Sequence, residues 1–439
     1  MRRHRILAAL VCVPLLMVGG CSADGDAPTA APTWAAPGGS TAPSATPPAP
    51  FTLTVSPNDK TTNLPISTEI GTLVTGGSVT SVTLTDAAGK KVSGKSRADG
   101  TTWVPSKPLK FNTRYSATVV GTGAGGETET KTTSFTTMKS AGSRAGTGLY
   151  MFDDHVYGVA MPVAVEILKD VPVAARASVQ KRFFVETDPP QPGAWYWFNG
   201  REVQYRPVDY WQPGTKITVR IALDGHPLGN GRYGDRDRSA TAFIAKDKIE
   251  LKVTNSPKQM QVFKNDALIK TLKVSLGKKS TPSSSGHLVI MDKAESTVFD
   301  TFAELGPSAG YRTTIKYAQR LTWGGEFIHS APWSVGDQGV RNVSHGCVNV
   351  SPANAAWLYA LTRIGDPVTV TGTERVLKPG NGFTVWDLSW ADIVKGSPIP
   401  LSADLASATS ELDTEPSISP SPSATVEPSP AATPSPQAS

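Results

Sequence analysis

Seven positions of the chain recur by residue class at an offset of 102 residues. Trp103, Pro105, Leu109, Thr113, Tyr115, Ala117 and Val119 line up with Tyr205, Pro207, Trp211, Thr215, Ile217, Val219 and Ile221. A repeat of that length constrains the fold more than any single motif, because both copies must bury the same pattern in the same way. In each copy the pattern is that of strands. "VTSVTLTDAAGKKVSG" alternates apolar and polar residues around a glycine turn at Gly89, and "RYSATVVG" is a further short strand. In the second copy "AWYWFNGREVQYRP" reads as a hairpin through Asn199-Gly200, a type I′ turn signal, and "TKITVRIAL" alternates cleanly. The expectation is a mainly β chain that opens with two tandem immunoglobulin-like sandwiches, residues 51–139 and 140–247.

A third region, 248–373, continues in short β segments ("KIELKVTNSPKQMQVFKNDALIKTLKVSLG"), with strands at 287–291 and near Phe327. Its main helix candidate is "SPANAAWLYALTRIG". Ser351 suits the N-cap, Pro352 the first helical position and Gly365 the stop. "PVTVTG" returns to strand. A short C-terminal piece, 374–398, carries Trp386 and Trp390 four residues apart, as on one helical face. They are expected to pack back on this region rather than to stack on sugars.

The ends differ in kind from this middle. "MRRHRILAALVCVPLLMVGGCSADG" has a positive start and an apolar stretch too short to span a bilayer, as in a signal peptide. Val18-Gly19-Gly20-Cys21 resembles a bacterial lipobox, in which Cys21 becomes the lipidated first residue, so residues 1–21 are expected to leave a chain anchored to the outer face of a membrane. The bland alternative is an ordinary signal peptide with an incidental Cys21. Residues 22–50 read as a Pro/Ala/Thr/Ser tether and 399–439 as a disordered Pro/Ser-rich tail. The tail holds five acidic residues and no Lys or Arg, so the folded part is more basic than the net +6 of the whole. Without a long basic run or a nucleic-acid motif, that charge reads as a solvated surface suited to the cell envelope. "DGHPLGNGRYGDRDRS" brings Asp224, Asp235 and Asp237 together, but its three arginines favour a solvated turn over a calcium loop.

Of three cysteines, Cys12 lies in the leader and Cys21 at the lipobox, which leaves Cys347 without a partner. An unpaired cysteine in an exported chain points to intermolecular pairing or a reactive thiol. Its surroundings, "FIHSAPWSVGDQGVRNVSHGCVNV", supply what a cysteine nucleophile needs. Gly346 permits a tight turn on which the amides of Gly346 and Cys347 can converge on an oxyanion. His329 can serve as base from a neighbouring strand. The helix that starts near Pro352 would lower the thiol pKa if its N-terminus faced the sulfur. A zinc site of His329, His345 and Cys347 lacks a fourth ligand except His287. An inert core cysteine fits poorly with the flanking Ser, His and Gly.

"IHSAPWSVGDQGVRNVSHGCVNVSPANA" closely resembles the signature of the L,D-transpeptidases, a histidine followed after a spacer by Ser/Thr-His-Gly-Cys, an apolar residue and Asn or Arg. It is most similar to the actinobacterial lipoprotein branch with tandem immunoglobulin-like modules, and the likeness runs over about residues 248–398, including "GYRT" and the paired tryptophans. The resemblance implies a β-rich catalytic domain with few helices that uses no cofactor or metal. It implies a cysteine acyltransferase that forms 3→3 peptidoglycan cross-links. Cys347 would attack the third residue of a tetrapeptide stem and release D-alanine. His329 would relay the proton, oriented by the backbone of Ser330. Gly346 and Cys347 amides, with the Tyr311 hydroxyl, would hold the oxyanion. Ser344, His345 and Asn349 would shape the loop and contact substrate, and Met291, Thr313 and Trp333 would lie near the cleft. Carbapenem acylation of Cys347 is also implied. Water as acceptor would give a carboxypeptidase or endopeptidase, and a dead domain would leave a wall-binding lipoprotein.

Overall fold

The alternation in the repeated segments yields two four-stranded sheets per copy. The computed structural model describes residues 50–414 apart from 301 and 311. In the first module the sheets run Thr52–Ser56, Ile70–Thr75, Thr102–Pro105, Gly94–Ser96 and Thr61–Leu64, Thr128–Thr137, Arg114–Gly123, Gly77–Asp86. In the second they run Thr147–Leu149, Val163–Ile167, Glu202–Pro207, Gly193–Trp197 and Val156–Tyr157, Asp237–Ile244, Lys216–Ala222, Phe183–Asp188. The orders correspond strand for strand, down to the parallel pairing of the short edge strand with the last long one. The 102-residue repeat is therefore two copies of one sandwich. Its matched positions are core positions: Trp103, Leu109, Ala117 and Val119 in one, and Tyr205, Trp211, Val219 and Ile221 in the other, are all buried.

Two local expectations change. The Asn199-Gly200 turn is not type I′, because neither residue has positive φ. Instead Asn199 Oδ1 accepts from the amides of Arg201 and Glu202, which closes the loop by a side chain. The second copy also carries a helix, Val173–Gln180, between strands that the first copy joins directly. Only Val179 and Gln180 of that helix are buried, so it left little apolar periodicity to read. The acidic loop is held by arginines: Asp224 pairs with Arg144, Asp237 with Arg220, and Asp235 with Arg238.

The third region builds a six-stranded sheet in the order Ala267–Lys273, Gln259–Lys264, Ile249–Thr254, Pro367–Thr371, Ser284–Val289, Arg375–Val376. Arg375–Val376 pairs with Ser284–Ser285, so this sheet extends past the expected boundary at 373. A second sheet runs Asp292–Asp300, Arg312–Arg320, Phe327–Ser330, Val348–Val350. Its first two strands form a long hairpin whose connection holds Phe302–Ala309, broken at Gly306 (φ 72°). The helix Pro352–Leu361 starts as expected, with Ser351 Oγ accepting from the Asn354 amide. It ends at Leu361, four residues short of Gly365, because Thr362 leaves the helix in extended conformation. Ala355 and Leu358 of this helix join a core with Ile328, Val348, Val350, Val368 and Val370.

The C-terminal piece packs elsewhere than expected. Phe383, Val385, Trp386, Trp390 and Ile393 belong to the core of the second sandwich. Trp386 lies in a 3₁₀ turn and Trp390 opens the helix Trp390–Gly396, so they do not share one helical face. Both rings are buried. Trp386 Nε1 donates to Ala160 O (2.7 Å) and Trp390 Nε1 to Leu405 O (2.9 Å), and the buried Arg206 guanidinium lies over both rings. Such rings cannot stack on a sugar. The chain also stays ordered beyond 399. Ala403–Ala406 is helical, Ser410 is fully buried, and Asp413 accepts from the Trp390 amide, so the expected tail is packed structure as far as 414. Residues 1–49, with Cys21, and residues 415–439 lie outside the described residues.

Candidate active site

Cys347 sits at the end of a turn that its own neighbours build. Gly346 has φ 123°, a backbone conformation open in practice only to glycine. Ser344 Oγ donates to Cys347 O (2.6 Å) and accepts from the Gly346 amide (3.2 Å). Ser283 Oγ, just before the strand Ser284–Val289, donates to Gly346 O (2.7 Å). The turn is thus fixed at three points. This geometry departs from expectation in one respect: the Gly346 amide is engaged by Ser344 rather than standing open for an oxyanion.

The parallel pairing of Phe327–Ser330 with Val348–Val350 puts His329 beside Asn349 and brings His329 to the cavity that Cys347 lines. His329 Nδ1 lies 2.9 Å from Ser330 O. A carbonyl only accepts, so Nδ1 carries the hydrogen and Nε2 keeps its lone pair. Burial holds the imidazole below its ordinary pKa, partly offset by that bond to Ser330, so the ring rests neutral with a free basic nitrogen.

The thiol is almost fully buried, packed with Ile315, Ala318 and Phe327. Burial pushes it up to about 12; the Glu326 charge acts in the same direction, whereas the Phe327 amide and Arg320 oppose it. The expected acidification by the helix N-terminus is not realised. Strand Val348–Val350 carries the chain away before the helix begins, and Ser351 caps that end itself. The sulfur lies 3.8 Å from Gly325 O, a long, weak contact.

The cavity at Cys347 is lined by Phe299, Thr313, Ile315, His329, Trp333, Val343, Ser344, His345 and Asn349. Of the expected residues, Thr313, Trp333, Ser344, His345 and Asn349 are thus brought together with Cys347 and His329. The exposed Trp333 ring tilts over His329 at 5.9 Å. Asn349 Nδ2 donates to Ser334 Oγ (3.2 Å), while its Oδ1 is buried with no partner among the described groups. His345 Nε2 lies 3.0 Å from Lys278 Nζ, and His345 also lines a second cavity with Trp323, Gly324, Gly325 and Phe327. Ser330 contributes through its carbonyl.

Met291 is a correction. It is buried in the core shared with the second sandwich, with Sδ against Gly382, and lines neither cavity. Its apolar side chain is used at that junction instead. Tyr311 lies outside the described residues. His287 is held on the six-stranded sheet, where its amide donates to Asp387 and its ring meets Thr369, so it is not a fourth ligand at Cys347. Sequence reasoning missed the roof residues Phe299 and Ile315, and also Ser283, Glu326 and Arg375. A weak alternation in "STVFD" and "RTTIKYAQR" is the hairpin's local trace; nothing local marked the other three.

Comparison with known proteins gives the family. A bacterial Ig domain family matches residues 61–227, and the L,D-transpeptidase catalytic domain family matches residues 250–370. L,D-transpeptidase 2 of Mycobacterium tuberculosis (strain CDC 1551 / Oshkosh) is 34% identical over 344 residues, 77% of this chain and 83% of that protein. L,D-transpeptidase 5 of Mycobacterium tuberculosis (strain ATCC 25618 / H37Rv) is 33% identical over 377 residues, 83% of this chain and 80% of that protein. A solved structure of an LD transpeptidase in complex with imipenem is 32% identical and covers 52% of this chain and 99% of its own, with TM-score 0.45. A catalytic domain matched almost from end to end, with relatives that also span the preceding modules, leads to one conclusion: the chain belongs to the L,D-transpeptidase family.

Proposed function

We propose that the protein is a cysteine acyltransferase that joins peptidoglycan stem peptides by 3→3 cross-links, with Cys347 as nucleophile and His329 as base. One observation carries the reading. The imidazole is anchored through Nδ1–H to Ser330 O, so its unprotonated Nε2 is available in the cavity that Cys347 lines. In the acylation step Sγ attacks the carbonyl carbon of the third stem residue, and the thiol proton passes to Nε2. The tetrahedral oxyanion is held by the Cys347 amide, and by the Gly346 amide once it turns from Ser344. The C–N bond to D-alanine breaks, and the proton moves from Nε2 to the leaving amine. A side-chain amine of a second stem then attacks the thioester, its proton goes to His329, and the thiol is restored. Thr313, Trp333, Ser344, His345 and Asn349 line the space that the donor stem occupies. The same chemistry makes Cys347 the site of carbapenem acylation. Cys21 is proposed as the lipid anchor that holds the protein on the outer face of the membrane, with the tandem sandwiches as a spacer toward the wall.

Incubating the full chain with a disaccharide-tetrapeptide, beside Cys347→Ala, tests this. Cross-linked dimers and free D-alanine are expected from the wild type and neither from the variant. Tripeptide monomers alone would instead support the hydrolytic reading. Failure of a carbapenem to add mass to the wild type, with no cross-linking, would leave an inactive wall-binding protein.

A further inference from the structure

Next to the Cys347 turn, and not among the residues that line its cavity, lies an ion pair with a buried carboxylate that the chemistry above does not use. Glu326 follows Gly325, whose carbonyl faces the thiol, and precedes Phe327, whose ring packs with it. Its own side chain turns the other way. Oε1 accepts from Ser284 Oγ (2.7 Å) and Arg375 Nη2 (2.7 Å), and Oε2 from the Ser284 amide (3.0 Å). Glu326 is nearly fully buried, whereas the Arg375 side chain is 44% exposed. A Cβ placed on Gly346 would meet these two residues first, Arg375 Nη2 at 3.4 Å and Glu326 Cγ at 3.5 Å. Ser284 follows Ser283, which holds Gly346 O, and Ser284 and Arg375 are paired in register. The pair therefore lies next to the turn, just beyond the space a side chain on Gly346 would fill, and is bonded to Ser284, the neighbour of the residue that holds Gly346 O.

A carboxylate is seldom buried unless something is gained, because desolvation offsets much of the ion-pair attraction. A purely mechanical brace could be apolar. What an apolar brace could not supply is charge. Resting on the reading of Cys347 as nucleophile, we propose that Glu326 and Arg375 are a positioning pair that aims the Cys347 turn and sets how readily its thiol ionises. Burial raises the Glu326 carboxyl above its ordinary range, opposed by the bonds to Ser284 and by Arg375; in its ionised form it places negative charge beside the turn and disfavours the thiolate, and Arg375 limits that effect. The other charged or titratable groups around the thiol are His329 on the adjoining strand, Arg320 on the hairpin, His345 in the turn and Lys278 against His345. Arg320 donates to Thr322 O and Trp323 O and lies over the Phe327 ring, and its charge opposes that of Glu326 at the thiol. The thiol feels the Glu326 carboxylate and the Arg320 guanidinium with opposite signs, and Arg375 acts on it through Glu326.

The test is the rate of Cys347 alkylation by iodoacetamide in the full chain, followed by intact mass from pH 6 to 10, with Cys347→Ala to assign the adduct. Glu326→Gln, which keeps the shape and one acceptor oxygen for the Ser284 amide, is expected to alkylate about tenfold faster at pH 8, as for a shift of about one unit. Arg375→Met is expected to alkylate about tenfold slower, and Arg375→Lys to match the wild type. A loosened turn would expose the sulfur and speed both variants. Equal acceleration of Glu326→Gln and Arg375→Met, or no change in either, overturns the proposal. Arg375 sits at a sheet edge and is half-exposed, so the sign of the Arg375→Met effect decides the question even if Glu326→Gln folds poorly. Should Cys347→Ala still cross-link stems, the nucleophile reading fails on its own, while the alkylation rates still decide whether the pair governs the thiol.

Discussion

Replacing Gly346 by alanine separates strain from space at the active turn. The added Cβ would find its nearest neighbours at 3.4, 3.5 and 4.0 Å, ordinary van der Waals distances, so no clash is introduced. What remains is φ 123°, which an L-residue reaches only at a cost of about 1–3 kcal/mol. The turn cannot relax freely, since Ser283 holds Gly346 O and Ser344 bonds both the Gly346 amide and Cys347 O. The strain must therefore appear in one of two places. If the turn holds, local stability falls by about 1–3 kcal/mol; if it yields, the thiol is misaimed and acylation slows about 5- to 150-fold, the same free energy in kinetic form. Two readings on one sample distinguish these: the urea midpoint at which Cys347 becomes alkylated, and the rate of carbapenem adduct formation by intact mass. A Gly346→Ala protein unchanged in both, within about 0.5 kcal/mol and twofold, would refute the argument that the turn is over-determined.

Trp386→Ala should cost about 3–5 kcal/mol, because it empties a fully buried site and leaves Ala160 O without its donor. Calorimetry should place that loss in the transition of the second sandwich, with adduct formation at Cys347 preserved below it. Stability should also depend on Asp366, fully buried and pushed up to about 7 by burial, against partial compensation by Arg363 and Lys293. Its folded pKa is raised, so the native state keeps a proton that the unfolded chain has lost. The contribution is intact below about pH 4 and disappears as pH rises toward 7. Urea midpoints at pH 5 and pH 8 should differ more for the wild type than for Asp366→Asn; an identical difference would count against it.

Legibility followed how locally each feature is encoded. The sandwich repeat was readable because strand period and core residues recur together, as at Leu109 and Trp211. That Cys347, His329 and the turn would meet was legible because one short stretch and one resemblance hold them all, and the structure does bring them to one cavity. Three kinds of feature were not. The hairpin Asp292–Arg320 carries many Thr, Ser and charged residues, and their exposure weakened the alternation that would have announced it. The Glu326–Arg375 pair joins positions 49 residues apart, with no pattern linking them. The packing of Trp386 and Trp390 on the second sandwich, and of Met291 beneath Gly382, depends on which surface a C-terminal segment reaches, which spacing alone does not encode.

The protonation state of the resting site bears on a problem that the proposed location outside the cytosol would pose, the survival of the free Cys347 thiol. With the thiol at about 12, roughly one molecule in 10⁵ carries a thiolate at pH 7. An unperturbed thiol near 8.5 would carry a few per cent, roughly three thousandfold more. Oxidation follows thiolate character and exposure, and Cys347 has little of either at rest. The neutral His329 does not ionise the thiol in advance; on the proposed mechanism it takes the proton only as Sγ–C bond formation makes the thiol acidic. Reactivity is thereby coupled to substrate carbonyls and withheld from small oxidants. The resting protein should gain oxygen mass at Cys347 from dilute hydrogen peroxide at least a hundredfold more slowly than a free cysteine peptide at the same pH. A rate equal to the peptide's would show that the thiol spends its time ionised or exposed, and would remove burial as the reason a lone cysteine survives there.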